Sequence, residues 1–346
     1  MFKFNDPHRQ LRQELLAITL PVFTEQACIT LMDVINAMMA GHISKEATAA
    51  VGMVDTLNII FIAVFSALAV GGTVIVAHYI AQNNIKCANE TVKQALYSGL
   101  LLGILIAGSL DICRFSLIHL LYGVADNVVQ KYAVAYLQIT LLTYPMIALT
   151  SIACGVLRGA GDTKTPAKIV ILMNIINIFF SYILIFGVNV KLPFIAIHLS
   201  GMGVVGAAVG IGIARFCGVI IAIYVLARGS WGLKLKHIFH YQPNWEILKS
   251  IFNIGIPASV ESLLFNAGKL ITQTFIVTLG TVPIVTNYVA MSFHSLMCVP
   301  GNAVGIAATA IVGRQMGKGE REQARIHLRY MRKIAWICMV GLNIIS

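Results

Sequence analysis

From Gln13 onward the chain is a succession of apolar runs, parted by short stretches where polar, basic and glycine residues gather. Eight full runs fall near 13–40, 50–80, 94–113, 132–157, 167–187, 202–227, 250–279 and 286–313, and a ninth, 334–346, is cut short by the last residue. Most hold roughly 20 to 30 residues, enough at about 1.5 Å per residue to cross a hydrocarbon core about 30 Å thick. Lipid offers no hydrogen bonds to a bare backbone, so runs of this kind must be helices. The pattern predicts an all-α membrane protein with about nine transmembrane helices.

Composition agrees: 58% of the 346 residues are apolar and 11% charged. That is too little polar surface to clothe a soluble body of this size, which excludes a soluble enzyme. Met1 to Gln13 is polar and basic, and the apolar run behind it is too long for a signal-peptide core. The first helix is therefore expected to direct insertion itself. The net charge of +11 is explained by placement, without nucleic acid as a partner. With a cytoplasmic N-terminus, 19 of the 25 lysines and arginines fall on inner connections. Lys45, Arg114, Lys131 and Lys191 fall outside, and Arg215 and Lys269 within spans. This bias predicts a multi-pass protein of the cell membrane with its N-terminus inside. The seven cysteines are scattered without paired spacing and read as packing residues.

An internal repeat becomes visible at an offset of 236 residues: Leu20-Pro21-Val-Phe-Thr-Glu25 lies over Ile256-Pro257-Ala-Ser-Val-Glu261. Val76 to Asn84 lies over Val312 to Glu320 at the same offset. Six spans separate equivalent points, so both copies enter from the same side, as in a parallel repeat. The expected organisation is two pseudo-symmetric six-helix lobes: an N-terminal lobe at 1–227, a cytoplasmic linker at 228–249 holding Pro243, and a C-terminal lobe at 250–346. Position 346 corresponds to position 110, inside the third span of the first copy. The second lobe is thus expected to be incomplete by about three helices, as in a truncated frame or fragment.

Ionisable groups inside spans are the sharpest functional signal, because each costs about 2.5–3.5 kcal/mol at a helix centre. Glu25 and Asp33 lie in the first span, Glu261 and Lys269 in the seventh, and Arg215 in the sixth. Glu25 and Glu261 sit roughly 18–20 Å into their helices at 1.5 Å per residue, near the midplane. A carboxylate there can hold a sodium ion or a proton and couple its release to a change of access. The alternative is a structural glutamate hydrogen-bonded between helices. Pro21 and Pro257, one turn earlier, each remove a backbone hydrogen bond. At 100° per residue Asn36 comes within about 20° of Glu25 on the helix face. Asp33 and Lys269 are repeat equivalents and are expected to pair across a central cleft, or to reach water separately. Arg215 reads as a structural anchor. Asn174 and Asn177, with Tyr182, either hydrogen-bond helix to helix or line an ion site.

Several apparent motifs fall away. Gly201-Met-Gly203-Val-Val-Gly206 has dinucleotide-loop spacing but opens a membrane span with no strand before it. Its glycines, with Gly210, suit close helix packing. Gly155 to Thr165 lacks phosphate-loop spacing, and His237 with His240 has no third ligand for zinc. Neither a resident metal nor a cofactor is expected.

Leu157-Arg-Gly-Ala-Gly-Asp-Thr-Lys-Thr-Pro166, Met173-Asn-Ile-Ile-Asn177 and Tyr182-Ile-Leu-Ile-Phe-Gly187 resemble the multidrug and toxic compound extrusion (MATE) family. So do Ala40-Gly-His42, Gly201 to Ala208, Ile254-Gly-Ile-Pro257 with Glu261, Pro300-Gly-Asn-Ala303 and Val312 to Gly317. The resemblance covers essentially the whole chain. It implies two six-helix lobes around a cleft, exporting organic cations or related drugs in exchange for sodium ions or protons. Members carry an aspartate five residues before the first-span Gly-His, and here that position is Asn36; Asp33 or Glu25 would have to take its role. Asn174 matches the family's fifth-span asparagine.

The reading is a monomeric, cation-coupled antiporter for a small-molecule drug or organic cation, with Glu25 and Glu261 holding coupling ions or substrate. The alternatives are a lipid-linked precursor flippase of the same architecture, against which the midplane glutamates argue, or an inactive fragment. An intramembrane enzyme would need a clustered set of catalytic side chains, and the nine histidines are dispersed.

Overall fold

The structure is a computed structural model that describes residues 7–192, 195–229, 232–235 and 242–345. The His237 and His240 pair lies outside the described residues. The elements run α1 (Pro7–Gly41), α2 (Lys45–Ala81), α3 (Ile85–Tyr122), α4 (Asn127–Leu142), α5 (Tyr144–Ala160) and α6 (Lys164–Phe186). A hairpin of β1 (Gly187–Leu192) and β2 (Ile195–Ser200) follows, then α7 (Val204–Arg228), α8 (Trp245–Val277), α9 (Thr281–Gly317) and α10 (Arg321–Ile345). Connections are tight because polar residues cap the helices where the apolar runs begin. Ser44 accepts from the Ala47 amide at the start of α2, Asn84 from Cys87 at α3, and Asn244 from Glu246 and Ile247 at α8.

Seven helices are long and apolar enough to cross a membrane, and α4 with α5 makes an eighth if the bent pair is one span. The fold is an all-helical membrane bundle, and it departs from the expected elements in three places. The run at 132–157 is two helices bent by 49°, because Pro145 stands in the first turn of α5 and cannot continue the hydrogen-bond ladder of α4. A β-hairpin replaces part of the connection after α6; Val188-Asn-Val-Lys-Leu192 alternates with period two, a signal hidden between two strong apolar runs. α10 starts at Arg321, well before the apolar stretch at 334, and is not among the membrane-long apolar helices.

α2 is the hub. Its alanines, glycines and threonines are buried along its length, and it packs against α3, α4, α5, α8 and α9. Small side chains let the neighbouring backbones close in. A Cβ on Gly71 would come 2.5 Å from the Ile251 carbonyl oxygen of α8. The α6–α7 contact is made the same way, with Gly206 against the Leu184 carbonyl and Gly210 against Ser181. Gly201 and Gly206 of the rejected dinucleotide motif are therefore packing residues, while Gly203 precedes α7 with a φ of 55°.

The repeat is visible in the packing. α2 and its equivalent, α9, touch at equivalent residues: Gly52 lies against the ring of Tyr288, and a Cβ on it would be 2.7 Å from the ring carbon Cγ. Further along, Gly317 of α9 sits against the His78 carbonyl, where a Cβ would be 2.5 Å from the oxygen. A segment that contacts its own counterpart marks the axis relating two copies. The cavity of about 320 Å³ between α9 and α10 follows the same rule. Its lining residues Gly305, Ala308 and Ala335 correspond to Ala69, Gly72 and Gly99, the surface on which α5 lays Ile152, Gly155 and Val156.

Gly159 of α5 faces the Thr73 backbone, which has no room to yield, whereas Gly305 has open space around its Cα. Gly159→Leu should therefore lower stability by about 1–3 kcal/mol, read as a lower melting midpoint in detergent, and Gly305→Ala, inside α9 with room for its methyl group, should not lower the midpoint.

Candidate functional site

Polar side chains gather at distinct depths along α1, a continuous helix that carries Pro21 in its interior. One turn after the proline, Glu25 is 3% exposed, and its Oε1 accepts from Arg158 Nη1 of α5 at 2.6 Å. A lone carboxylate at this depth would be costly, and a charge-assisted bond to a buried guanidinium offsets much of that. The pair is incompletely satisfied: Glu25 Oε2 and Arg158 Nε are both buried without a partner. Glu25 is thus held between α1 and α5. Arg158 lies in the last turn of α5, beside the connection on which the charge pattern placed it, with its side chain turned into the bundle.

Two turns further along α1, about 12 Å at 1.5 Å per residue, Asp33 belongs to a second cluster. It lies within electrostatic reach of Asp55 on α2 and Arg215 on α7. Asp55 accepts from Tyr288 of α9 at 2.8 Å and from Asn58 at 3.5 Å, and Tyr136 of α4 donates to it as well. Tyr144, the first residue of α5, donates to Asn58 Oδ1 at 2.8 Å. Arg215 donates to Thr143 Oγ1 at 2.6 Å, and that hydroxyl in turn donates to the Thr140 carbonyl at 2.6 Å, so Thr143 at the bend between α4 and α5 relays the guanidinium to the end of α4. Asp55 is anchored by three donors, while Asp33 is exposed although its charged neighbours are interior. Asp33 is thus accessible while lying within electrostatic reach of groups on α2 and α7.

A third group ties α1 to α6. Asn174 donates to the Cys28 carbonyl at 2.6 Å, Asn177 to Asn36 Oδ1 at 3.3 Å, and Ser181 to Asn177 Oδ1 at 2.8 Å. These amides bond helix to helix, and the Asn36 position is neutral throughout its contacts.

The structure does not bring the remaining expected residues into these clusters. Lys269 lies with its ammonium 4.8 Å over the Phe265 ring, and among the described residues it forms no ion pair with Asp33. The expected acid-base pair across a cleft is corrected accordingly: the charges near Asp33 are Asp55 and Arg215. Glu261 is exposed and about 120° around α8 from the buried face that holds Gly255 and Gln273. It does not approach Glu25, so the two repeat-equivalent glutamates have unlike surroundings. Arg215, read as an anchor, is part of the Asp33–Asp55 cluster. Asp55, Tyr136 and Tyr288 were missed by sequence reasoning. Asp55 stands five residues inside its run at 50–80 and passes for a flanking charge, and tyrosines blend into apolar runs. Counting ionisable groups from the helix cap at Ser44 would have found Asp55. Among the described residues no three histidine, cysteine or acidic side chains gather as a metal site.

Charged and amide side chains paired inside a bundle of membrane-long helices define an integral membrane protein with a polar interior. The chain belongs to the MatE family, whose pattern matches residues 21–183 and 257–346. It is 27% identical over 95% of its length to the probable multidrug resistance protein NorM of Thermotoga maritima, covering 67% of that protein. To the multidrug resistance protein MdtK of Pectobacterium atrosepticum it is 25% identical, over 95% of this chain and 71% of the relative. The fold matches a structure described as the outward-facing conformation of a multidrug resistance MATE family transporter of the MOP superfamily, with a TM-score of 0.83 at 22% identity. That match covers 96% of this chain and 71% of the other.

Removing one member of a buried ion pair strands the other. Glu25→Gln should cost about 3–5 kcal/mol in thermal unfolding in detergent, and Glu25→Leu combined with Arg158→Met should regain most of it.

Proposed function

We propose that the protein exports drugs or organic cations across the cell membrane in exchange for sodium ions or protons, with its N-terminus on the cytoplasmic side. The observation that carries this reading is Asp33: an accessible carboxylate inside the bundle of a family member, set among an acid, a guanidinium and three tyrosines contributed by five other helices. An accessible carboxylate can exchange a cation with water, whereas Glu25 and Asp55 are already engaged. With both carboxylates ionised, Asp33 and Asp55 would set two negative charges against one from Arg215, leaving the cluster a net attraction for one cation. That charge count favours cation coupling over carriage of an anionic amphiphile.

The domain division that fits is an N-terminal lobe at 1–227, a linker at 228–249 and the C-terminal part at 250–346. α2 and α9 form the seam about which the two sides rock. Near that seam Val34, Ala37 and Met38 of α1 face Val285, Val289 and Phe293 of α9 around a cavity of about 320 Å³, a size and lining suited to the apolar part of a drug-sized molecule. The Glu25–Arg158 pair is a strut that α1 must carry with it or break when it moves about Pro21. Glu261 remains a second accessible acid for an ion or a cationic substrate.

The test is ethidium uptake into inverted membrane vesicles under separate sodium and proton gradients. Asp33→Asn should abolish the gradient-driven component while the protein still inserts at the wild-type level. Undiminished gradient-driven uptake by Asp33→Asn would remove Asp33 from the coupling role.

A further inference from the structure

At one point a hydroxyl of the second repeat enters the charged cluster of the first. Tyr288 of α9 donates to Asp55 Oδ2 at 2.8 Å, and the same ring rests on Gly52 one turn earlier on α2. Under the repeat, Gly52 is the counterpart of Tyr288 and Asp55 that of Met291. The contact therefore has no mirror: one ring crosses the axis, and the side it enters has no Cβ to obstruct it. A second α9 hydroxyl, Thr281 Oγ1, donates to Asp126 Oδ2 at 2.6 Å in front of α4. The first turns of α9 are thus held by two carboxylates of the N-terminal half. Of the two, only Asp55 shares its surroundings with charged groups inside the bundle.

We infer that Tyr288 is the positioning residue that closes α9 onto α2, and that a cation entering the Asp33–Asp55 cluster competes with its hydroxyl for the Asp55 carboxylate. A hydrogen bond to an ionised carboxylate is roughly twice as strong as a neutral one, so a proton or sodium ion taken by Asp55 weakens the hold on Tyr288. The groups that face Asp55 are Asp33 of α1, Asn58 on its own helix, Tyr136 of α4, Tyr144 of α5, Arg215 of α7 and Tyr288 of α9. Tyr122 of α3 is spent on the Met53 carbonyl. Arg215 donates to Thr143 and makes no ion pair with either acid among the described residues. Its charge moderates the cluster without occupying the acceptor. Two states of the seam thereby differ in their affinity for the cation, which is the requirement for coupling. The inference rests on the proposed cation coupling only for what displaces Tyr288; the closing contact itself stands on geometry.

The experiment reads the seam directly, without transport. Ile284 of α9 is buried at 1% exposure in the core cluster that α9 shares with α2. In a cysteine-free background, Ile284→Cys should react with N-ethylmaleimide only when α9 leaves α2. Tyr288→Phe keeps the ring on Gly52 and loses the hydroxyl, and should raise the labelling rate about tenfold, the size expected for one hydrogen bond to a charged group. Sodium added at fixed pH, or acid added without sodium, should raise the rate of the parent; in Asp55→Asn the rate should no longer respond to either. Unchanged labelling in Tyr288→Phe would overturn the closing role, and a cation response that survives Asp55→Asn would overturn the competition. Ethidium uptake lost with labelling behaviour intact would count against the transport reading alone.

Discussion

A charge inside a membrane has to be answered by another protein group, and the arrangement of the first seven helices follows from that requirement. Glu25 is answered by Arg158, Asp55 by two tyrosines and an asparagine, and Arg215 by the hydroxyl of Thr143. Apart from Asn58, which shares α2 with Asp55, the answers come from other segments of the chain, so the charges determine which helices must be neighbours. The glycines and alanines of α2 determine how near they come. Polar pairing and close packing are here two aspects of one constraint, because a donor reaches a buried acceptor only if the backbones can approach.

The bend between α4 and α5 shows how a local irregularity serves that constraint. Pro145 ends the ladder, and the residue before the new helix, Thr143, stands where Arg215 can use it. Tyr144 begins α5 with its hydroxyl on Asn58. The three polar groups along α1 differ in kind as well as depth: a closed ion pair at Glu25, a neutral amide chain at Asn36 and an accessible acid at Asp33. A single helix therefore presents one group able to meet a cation and two that hold it to its neighbours.

Much of the architecture was legible in the sequence, and for a physical reason. Apolar runs of membrane length have one available conformation in lipid, and a repeat offset of 236 aligns Pro21 with Pro257 and Glu25 with Glu261 wherever the helices lie. The glycines at 201, 206 and 210 could be read as packing residues because a membrane span excludes the competing motif. The site was less legible. A carboxylate in a span announces itself, but its partner can come from any helix. Arg158 carries the signature of a helix end and turns inward; Asp55 carries that of a flank and lies inside. Tyr288 gives no signal, since a tyrosine in an apolar run is ordinary until the opposite residue is known to be a glycine. Repeat equivalence also misled: it suggested that Asp33 and Lys269, and Glu25 and Glu261, share roles, whereas each member of these pairs has its own surroundings.

The contact of Gly52 with Tyr288 bears on how such a molecule can be assembled. Two identical units related by a two-fold axis would place the same residue on both sides of the seam: two glycines would leave a hole, and two tyrosines would collide. A ring on one side and bare backbone on the other requires the units to differ, and therefore to be joined in one chain or drawn from two genes. Covalent fusion of the repeats is thus more than a convenience of synthesis. It is what allows the centre of the molecule to be filled asymmetrically, with polar chemistry on one side of the axis and the group that reports on it supplied from the other.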